Sequence, residues 1–296
     1  MSRPDWIALD WGTTNLRGWA MRRDGSVIEA RTSDRGMGSL GPETFEAALR
    51  EICAGWLDDG NVPIIACGMV GARQGWVEAA YTRVPCPPLS PSLTRVPGAL
   101  DVSIIPGLSQ ADPADVMRGE ETQAAGFLAL NPGWDGVLCM PGSHSKWAHL
   151  SAGEVVSFRS FMTGELFAAL ATRTVLRHSV PAEGWDEDAF DAAVAETLSR
   201  PERLASALFT IRAEDILHGQ DGARARSRLS GLLIGAELAA AKPYWLGQQI
   251  GVIGAGGLAS LYVRALAAQG APATQANATA TTLAGLTAAW KQRTSS

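Results

Sequence analysis

One pattern occurs twice in this chain and constrains its fold more than any other feature. Trp6 to Trp11 is an apolar run interrupted only by Asp10, and the small segment Gly12-Thr13-Thr14 follows it. Leu16 to Met21 reads as a second strand. Asp24-Gly25, a favoured two-residue hairpin turn, leads into a third, Ser26 to Arg31. The same order returns with Gly142 on Gly12, an offset of 130 residues. There Val137 to Met140 runs into Pro141-Gly142-Ser143-His144-Ser145, then Lys146 to Leu150, the turn Ala152-Gly153, and Val155 to Phe158. Two β-meanders, each with a tight glycine loop after its first strand, predict a diverged internal duplication.

The remaining elements follow from periodicity. Gly41-Pro42-Glu43 reads as a helix start, and Phe45, Leu49, Ile52, Cys53 and Trp56 recur at helical spacing. Pro63 to Cys67 and Val102 to Pro106 are expected strands. Five prolines between Val84 and Pro97 mark an irregular excursion, because proline removes backbone donors. A helix is expected over Asp112 to Leu130. Beyond Thr163 the chain reads as mostly helical, with Gly231 and Gly235 permitting close packing along a long helix. Gln249 to Ile253 is a further strand, and helices are expected over Leu258 to Ala268 and Thr279 to Gln292. Two domains are expected, residues 1–108 and 109–296.

Composition excludes several function classes. An apolar share of 46% with 19% charged residues is that of a globular chain with true cores. The net charge is −5 and no Lys/Arg run occurs, so a nucleic-acid partner is not expected. No apolar run reaches the roughly 20 residues that span a bilayer, and residues 1–12 lack the pattern of a secretory signal. Cys53, Cys67, Cys86 and Cys139 form no Cys-x-x-Cys pair, which argues against a zinc site or a disulfide framework and for reduced thiols in a cytoplasmic protein.

Three glycine-bearing loops carry chemistry. In Asp10-Trp11-Gly12-Thr13-Thr14-Asn15-Leu16-Arg17, the small residues let backbone N–H groups and hydroxyls approach phosphate oxygens, and Asp10 is placed to hold Mg²⁺ directly or through water. A polar-rimmed hairpin is the plain alternative. Pro141 to Lys146 offers a second cradle, in which Gly142, Ser143, His144 and Ser145 would meet phosphates and Lys146 would add a positive charge. The third, Gly254-Ala255-Gly256-Gly257-Leu258-Ala259, follows a strand and fits the Gly-x-Gly-x-x-Gly/Ala pattern of dinucleotide-binding folds. Against an NAD(P)-dependent oxidoreductase, no Asp or Glu follows Glu237, so the acid that would hold the ribose is missing. Too few residues follow Gly257 to complete a doubly wound sheet. Gly254, Gly256 and Gly257 are therefore expected to let backbone approach an adenosine, or simply to pack the helix that follows.

Asp10 to Arg17, Gly68 to Trp76, Met117 to Gln123, Pro141 to Trp147 and Gly254 to Gly257 together resemble the 2-dehydro-3-deoxygalactonokinase family, over nearly the whole chain. The resemblance implies two ribonuclease-H-like lobes of the actin-like ATPase superfamily with a cleft between them. It implies ATP and Mg²⁺, and a small sugar acid, 2-dehydro-3-deoxy-D-galactonate, phosphorylated at its 6-hydroxyl. Many sugar kinases of that superfamily carry a catalytic Asp in or near the second phosphate loop, and Pro141 to Lys146 contains no acid. Glu120 and Glu121 are the nearest candidate bases, because Arg118-Gly119-Glu120-Glu121 resembles the paired-Glu segment of exopolyphosphatases in the same superfamily. Neighbouring helical residues point about 100° apart, so one of the two is expected to face the site. Arg73 and Gln74, flanked by Gly71 and Gly75, are expected to grip the sugar-acid carboxylate together with Lys146. A phosphatase using water in place of the sugar hydroxyl is the remaining alternative, since it would need the paired acids without that grip.

Overall fold

The computed structural model describes residues 3–57, 62–254 and 256–295. The two meanders form as expected: β1 (Trp6–Trp11), β2 (Leu16–Met21) and β3 (Val27–Ser33) at the start. A 3₁₀ turn at Pro42–Thr44 runs into α1 (Phe45–Ile52), followed by β4 (Ile64–Cys67). The short β5 (Tyr81–Arg83) precedes the proline-rich excursion, which carries the short β6 (Thr94–Arg95) and leads to β7 (Val102–Ile104). Then come β8 (Gly107–Ala111), β9 (Ala114–Met117) and α2 (Glu120–Leu130).

The second meander is β10 (Gly136–Met140), β11 (Ser145–Ser151) and β12 (Glu154–Phe161). It leads into α3 (Thr163–Arg173), α4 (Glu187–Ser199), α5 (Leu204–His218), α6 (Gly222–Ala240) and the short α7 (Lys242–Trp245). The chain continues through β13 (Ile250–Gly254), α8 (Gly256–Ala267), β14 (Ala273–Asn277) and α9 (Ala278–Ser295).

One expected helix is corrected. Residues 112–119 do not join α2, because β9 returns from β8 and pairs with it antiparallel, Leu108 opposite Met117 and Ala111 opposite Ala114. The Asp112-Pro113 step explains this, since the ring of a proline disfavours helical backbone in the residue before it. The helix begins only after Gly119.

The principal sheets are ordered β3-β2-β1-β4-β7-β6 and β12-β11-β10-β13-β14, so the strand order of the first meander and its parallel neighbour repeats in the second. β1 pairs parallel with β4, and β10 pairs parallel with β13. A central strand covered on both faces must be apolar where it is covered, which is why Trp6–Leu9 reads as an unbroken run ahead of Asp10. Ile7, Leu9 and Trp11 pack with Phe45 and Leu49 of α1, whereas Trp6 and Ala8 pack with Leu286, Ala289 and Trp290 of α9. The Trp6 and Trp290 rings stack 5.3 Å apart.

The chain divides into two compact units, residues 1–135 with 150–158 and 276–296, and residues 136–149 with 159–275. The division expected after residue 108 differs from this one, because α2 and α9 both belong to the first unit. Those two helices cross at Gly126 and Gly285, where a methyl on Gly126 would overlap the Thr281 carbonyl and one on Gly285 the Thr122 carbonyl. In the second unit Gly231 and Gly235 of α6 make the expected close approach, to the Phe190 and Val194 carbonyls of α4.

Gly126→Ala should therefore lower stability by about 1–3 kcal/mol, the usual range for forcing a methyl into a filled contact. Gly257→Ala, whose added methyl would meet nothing within 4 Å, should leave it unchanged or slightly raised. Urea midpoints of the two variants test this, and equal midpoints would show that α2 and α9 do not depend on their close approach.

Candidate active site

In the first unit the site starts from strand register. The parallel pairing of β1 with β4 sets Asp10 opposite Cys67, and the antiparallel pairing with β2 sets it opposite Arg17. The Arg17 guanidinium grips Asp10 Oδ2 through Nη2 and, at 3.2 Å, through Nε, while Nη1 donates to Thr279 Oγ1 at 3.2 Å. Asp10 Oδ1 lies 3.9 Å from the Cys67 thiol. Burial, with Asp10 and Glu121 nearby, holds that thiol well above its ordinary pKa and keeps it protonated.

The loop after β1 is a tight turn closed by Gly12 N–H donating to Asn15 O at 2.9 Å. Its carbonyls are drawn inward: Gly12 O accepts from Met37 N, Thr13 O from Gly38 N and Thr14 O from Gly36 N. With the acceptors engaged, Thr13 and Thr14 present exposed side chains, a surface suited to an anion.

β4 ends in Gly68 at φ +93°, where an added Cβ would stand 2.8 Å from Trp11 O and 3.5 Å from Asp10 Oδ1. Gly119, at φ +105°, would place its Cβ 3.4 Å from Gly68 Cα. The positive φ and the crowding both call for glycine, and together they bring the start of α2 beside Asp10. The two acids that open α2 diverge. Glu120 is half-buried and accepts from Arg118 N at 3.1 Å. Glu121 is fully buried, folded back onto Gly119 N at 2.6 Å and Thr122 Oγ1 at 2.9 Å. Burial, reinforced by the Glu120 charge, pushes the Glu121 pKa up to about 8.

Arg73 is exposed and reaches Glu78 only at 3.4 Å, with Gln74 exposed beside it. Their loop is anchored by Arg118, which sequence reading passed over. Its Nη2 donates to Ala79 O at 2.6 Å, its guanidinium lies 4.3 Å from the centre of the Tyr81 ring, and Nη1 sits against Gly71.

In the second unit, Ser143 and His144 are exposed at the loop after β10. His144 Nε2 hydrogen-bonds Glu165 Oε2 in the first turn of α3, and Glu165 N donates to Ser143 O at 2.9 Å. Gly164 lies so close beneath Gly142 O that any side chain there would overlap it. Ser145 and Lys146, expected to face ligands, are turned inward at 1% and 5% exposure. Gly254 packs on Pro141, Gly256 and Gly257 border open space, and Ala255 lies outside the described residues. A cavity of about 270 Å³ opens beside the loop, lined by Gly142, Phe167, Trp185, Arg226, Leu258 and Tyr262 among others. The Arg226 guanidinium covers the Phe167 ring at 5.0 Å. Among the described residues no cluster of three His, Cys, Asp or Glu could hold a metal by itself, and no helix is long and apolar enough to cross a membrane.

Each of the two principal sheets therefore carries a glycine loop after the first strand of its meander, beside a parallel neighbour, and neither sheet is doubly wound. This is the two-lobed α/β architecture of the actin-like ATPases. Component A of the (R)-2-hydroxyglutaryl-CoA dehydratase of Acidaminococcus fermentans shares the fold, with a TM-score of 0.57 at 12% identity over 98% of both chains. The family model of the 2-keto-3-deoxy-galactonokinases matches residues 10–289. A curated relative from Rhizobium meliloti (strain 1021), named "Probable 2-dehydro-3-deoxygalactonokinase DgoK1", is 41% identical over 296 residues, 96% of each chain. The 2-dehydro-3-deoxygalactonokinase of Escherichia coli (strain K12) is 36% identical over 91% of each. A Sinorhizobium meliloti crystal structure assigned to the same activity superposes with a TM-score of 0.91 at 41% identity, covering 97% of this chain and 96% of that one. The chain belongs to the 2-keto-3-deoxy-galactonokinase family.

The buried Glu121 gives the first unit a specific pH response. Below pH 4.5 the folded and unfolded chains both keep this proton, and between pH 4.5 and about 8 only the folded chain does. The stabilisation it represents is complete at the acid end and is lost as pH rises through 8. Glu121→Gln should remove that fall, so its melting temperature relative to wild type should climb from pH 5 to pH 9. A constant difference across that range would mean that Glu121 is ionised in the folded protein.

Proposed function

We propose that this protein transfers the γ-phosphate of ATP to the 6-hydroxyl of 2-dehydro-3-deoxy-D-galactonate. The observation that carries the reading is kinship along the full length of the chain, with no half of either curated relative left unmatched. The site chemistry fits it. Phosphoryl transfer asks a protein mainly to position groups and to offset charge, and the two glycine loops, at Gly12–Thr14 and Gly142–His144, are the surfaces suited to phosphate oxygens. The cavity beside the second loop, walled by Phe167, Arg226 and Leu258, fits a nucleoside, and Gly256 and Gly257, which border open space, directly precede Leu258 of that wall.

Asp10 fits the Mg²⁺ role. Its Oδ2 is held by Arg17 and its Oδ1 faces a protonated thiol at 3.9 Å, too long and weak a contact to occupy it, which leaves that carboxylate oxygen for the ion or its water. One carboxylate is enough, because Mg²⁺ commonly takes the rest of its shell from phosphates and water. When bound, the ion would neutralise charge on the β- and γ-phosphate oxygens.

For the acceptor, Glu120 is the better base of the two acids. It is the accessible one, whereas Glu121 is enclosed and keeps its proton near neutral pH. Arg73 and Gln74, exposed on the loop that Arg118 anchors, are assigned to the sugar-acid carboxylate. Lys146, buried in β11, is not.

A coupled ADP-release assay over a panel of 2-keto-3-deoxy sugar acids, with ATP and Mg²⁺, tests the proposal. ADP release should require a sugar acid and be fastest with 2-dehydro-3-deoxy-D-galactonate. Equal release with and without a sugar acid would replace the kinase by an ATPase or phosphatase.

A further inference from the structure

The second unit holds a buried carboxylate with no part in the assignments above. Glu237, near the end of α6, is 3% exposed. Its Oε1 accepts from Trp147 Nε1 at 2.8 Å, and its Oε2 accepts from Tyr262 OH at 2.6 Å and from Thr163 Oγ1. Tyr262 OH also stands 3.0 Å from Ser145 Oγ. One carboxyl thus ties α6 to β11, to the first residue of α3 and to α8.

A buried carboxyl is a costly way to join four elements, because an apolar side chain of similar volume packs without desolvating a charge. What it adds is connection: Trp147 N–H, Thr163 Oγ1 and Tyr262 OH all converge on Glu237, with Ser145 Oγ beyond Tyr262. The hydroxyls form one chain from the glycine loop inward to Glu237. The tied residues are those that shape the ligand surface. Ser145 ends the loop that follows β10. Thr163 opens α3, whose Gly164 and Glu165 support the loop at Gly142 O and Ser143 O. Thr163 and Tyr262 themselves line the cavity.

We propose that Glu237 is a positioning residue for the nucleotide: through Tyr262–Ser145 and through Thr163 it holds the second glycine loop and the start of α3 in the arrangement that receives the phosphates and nucleoside of ATP. The proposal rests on assigning that loop and cavity to ATP. It is kept separate from the sugar-acid assignment by a readout that needs no acceptor, calorimetric binding of ADP with Mg²⁺.

Glu237→Gln preserves the volume and removes the charge, and Tyr262→Phe cuts the link to Ser145 while sparing the Trp147 and Thr163 bonds. Each should weaken ADP binding by about tenfold, the effect of one charge-assisted hydrogen bond. In turnover each should raise KM for ATP and leave KM for the sugar acid within about twofold. Combining Tyr262→Phe with Glu237→Gln should cost little more than the worse single change, because both break one chain. A lower melting temperature with unchanged ADP affinity in either variant would reduce Glu237 to a structural role, and multiplicative effects in the double variant would refute the chain. If Glu237→Gln does not fold, Tyr262→Phe decides by the same ADP measurement. Wild-type protein that binds ADP but phosphorylates no sugar acid would sink the functional reading and leave this inference to the affinities; wild type that binds no ADP would end both.

Discussion

The parallel pairing of β1 with β4 is the constraint on which the first unit's site depends. Parallel neighbours end on the same side of a sheet, so the loops that leave their carboxyl ends must meet there, which is where ligands bind in open α/β sheets. Register then settles the chemistry. Asp10 faces Cys67 across one pair and Arg17 across the other, Gly68 turns away under the Trp11 carbonyl, and Gly119 closes onto Gly68. A shift of one residue in β1 would carry Asp10 to the other face of the sheet and bury a charge between tryptophans. The second unit repeats the scheme with β10 and β13, which bring Pro141 against Gly254.

Electrostatics divides the labour among the acids. Asp10, partly exposed, is paired with Arg17, and Arg17 is itself fixed to Thr279 of α9. Glu121, a short way off and fully enclosed, holds its proton instead and spends both oxygens on the backbone and hydroxyl at the start of α2. Burial is what pushes the enclosed Glu121 toward its neutral form. Glu237 is a third case, enclosed and surrounded by donors.

Much of the fold was legible because it is written in local patterns: two meanders, their turns and the repeated glycine loops. The reading failed where a short strand imitated a helix, at Ala114–Met117, since four residues carry too little periodicity to reveal a hairpin. Of the candidate site, the glycine loops and Asp10 could be singled out because each lies at the end of a recognisable strand. For Asp10 the sequence pointed to Mg²⁺, and the partner that the structure gives it is Arg17 of its own hairpin. The inward turn of Ser145 and Lys146 could not be seen, because it depends on partners such as Tyr262, 117 residues away from Ser145. Arg118 and Glu237 were missed for the same reason: their contacts at Ala79 and Trp147 lie 39 and 90 residues away and leave no spacing signal.

The central claim is that the carboxylate at the end of β1 faces the phosphates and positions the metal. Steady-state turnover of Asp10→Asn across a Mg²⁺ titration measures it directly. The substitution keeps the shape and removes the charge, so the far-ultraviolet circular dichroism spectrum should match wild type. Turnover should fall by about 10² to 10³, as for loss of one charge-stabilising group, and the Mg²⁺ concentration for half-maximal rate should rise. Near-normal turnover at the wild-type Mg²⁺ requirement would contradict the account and leave Gly12–Thr14 a hairpin turn.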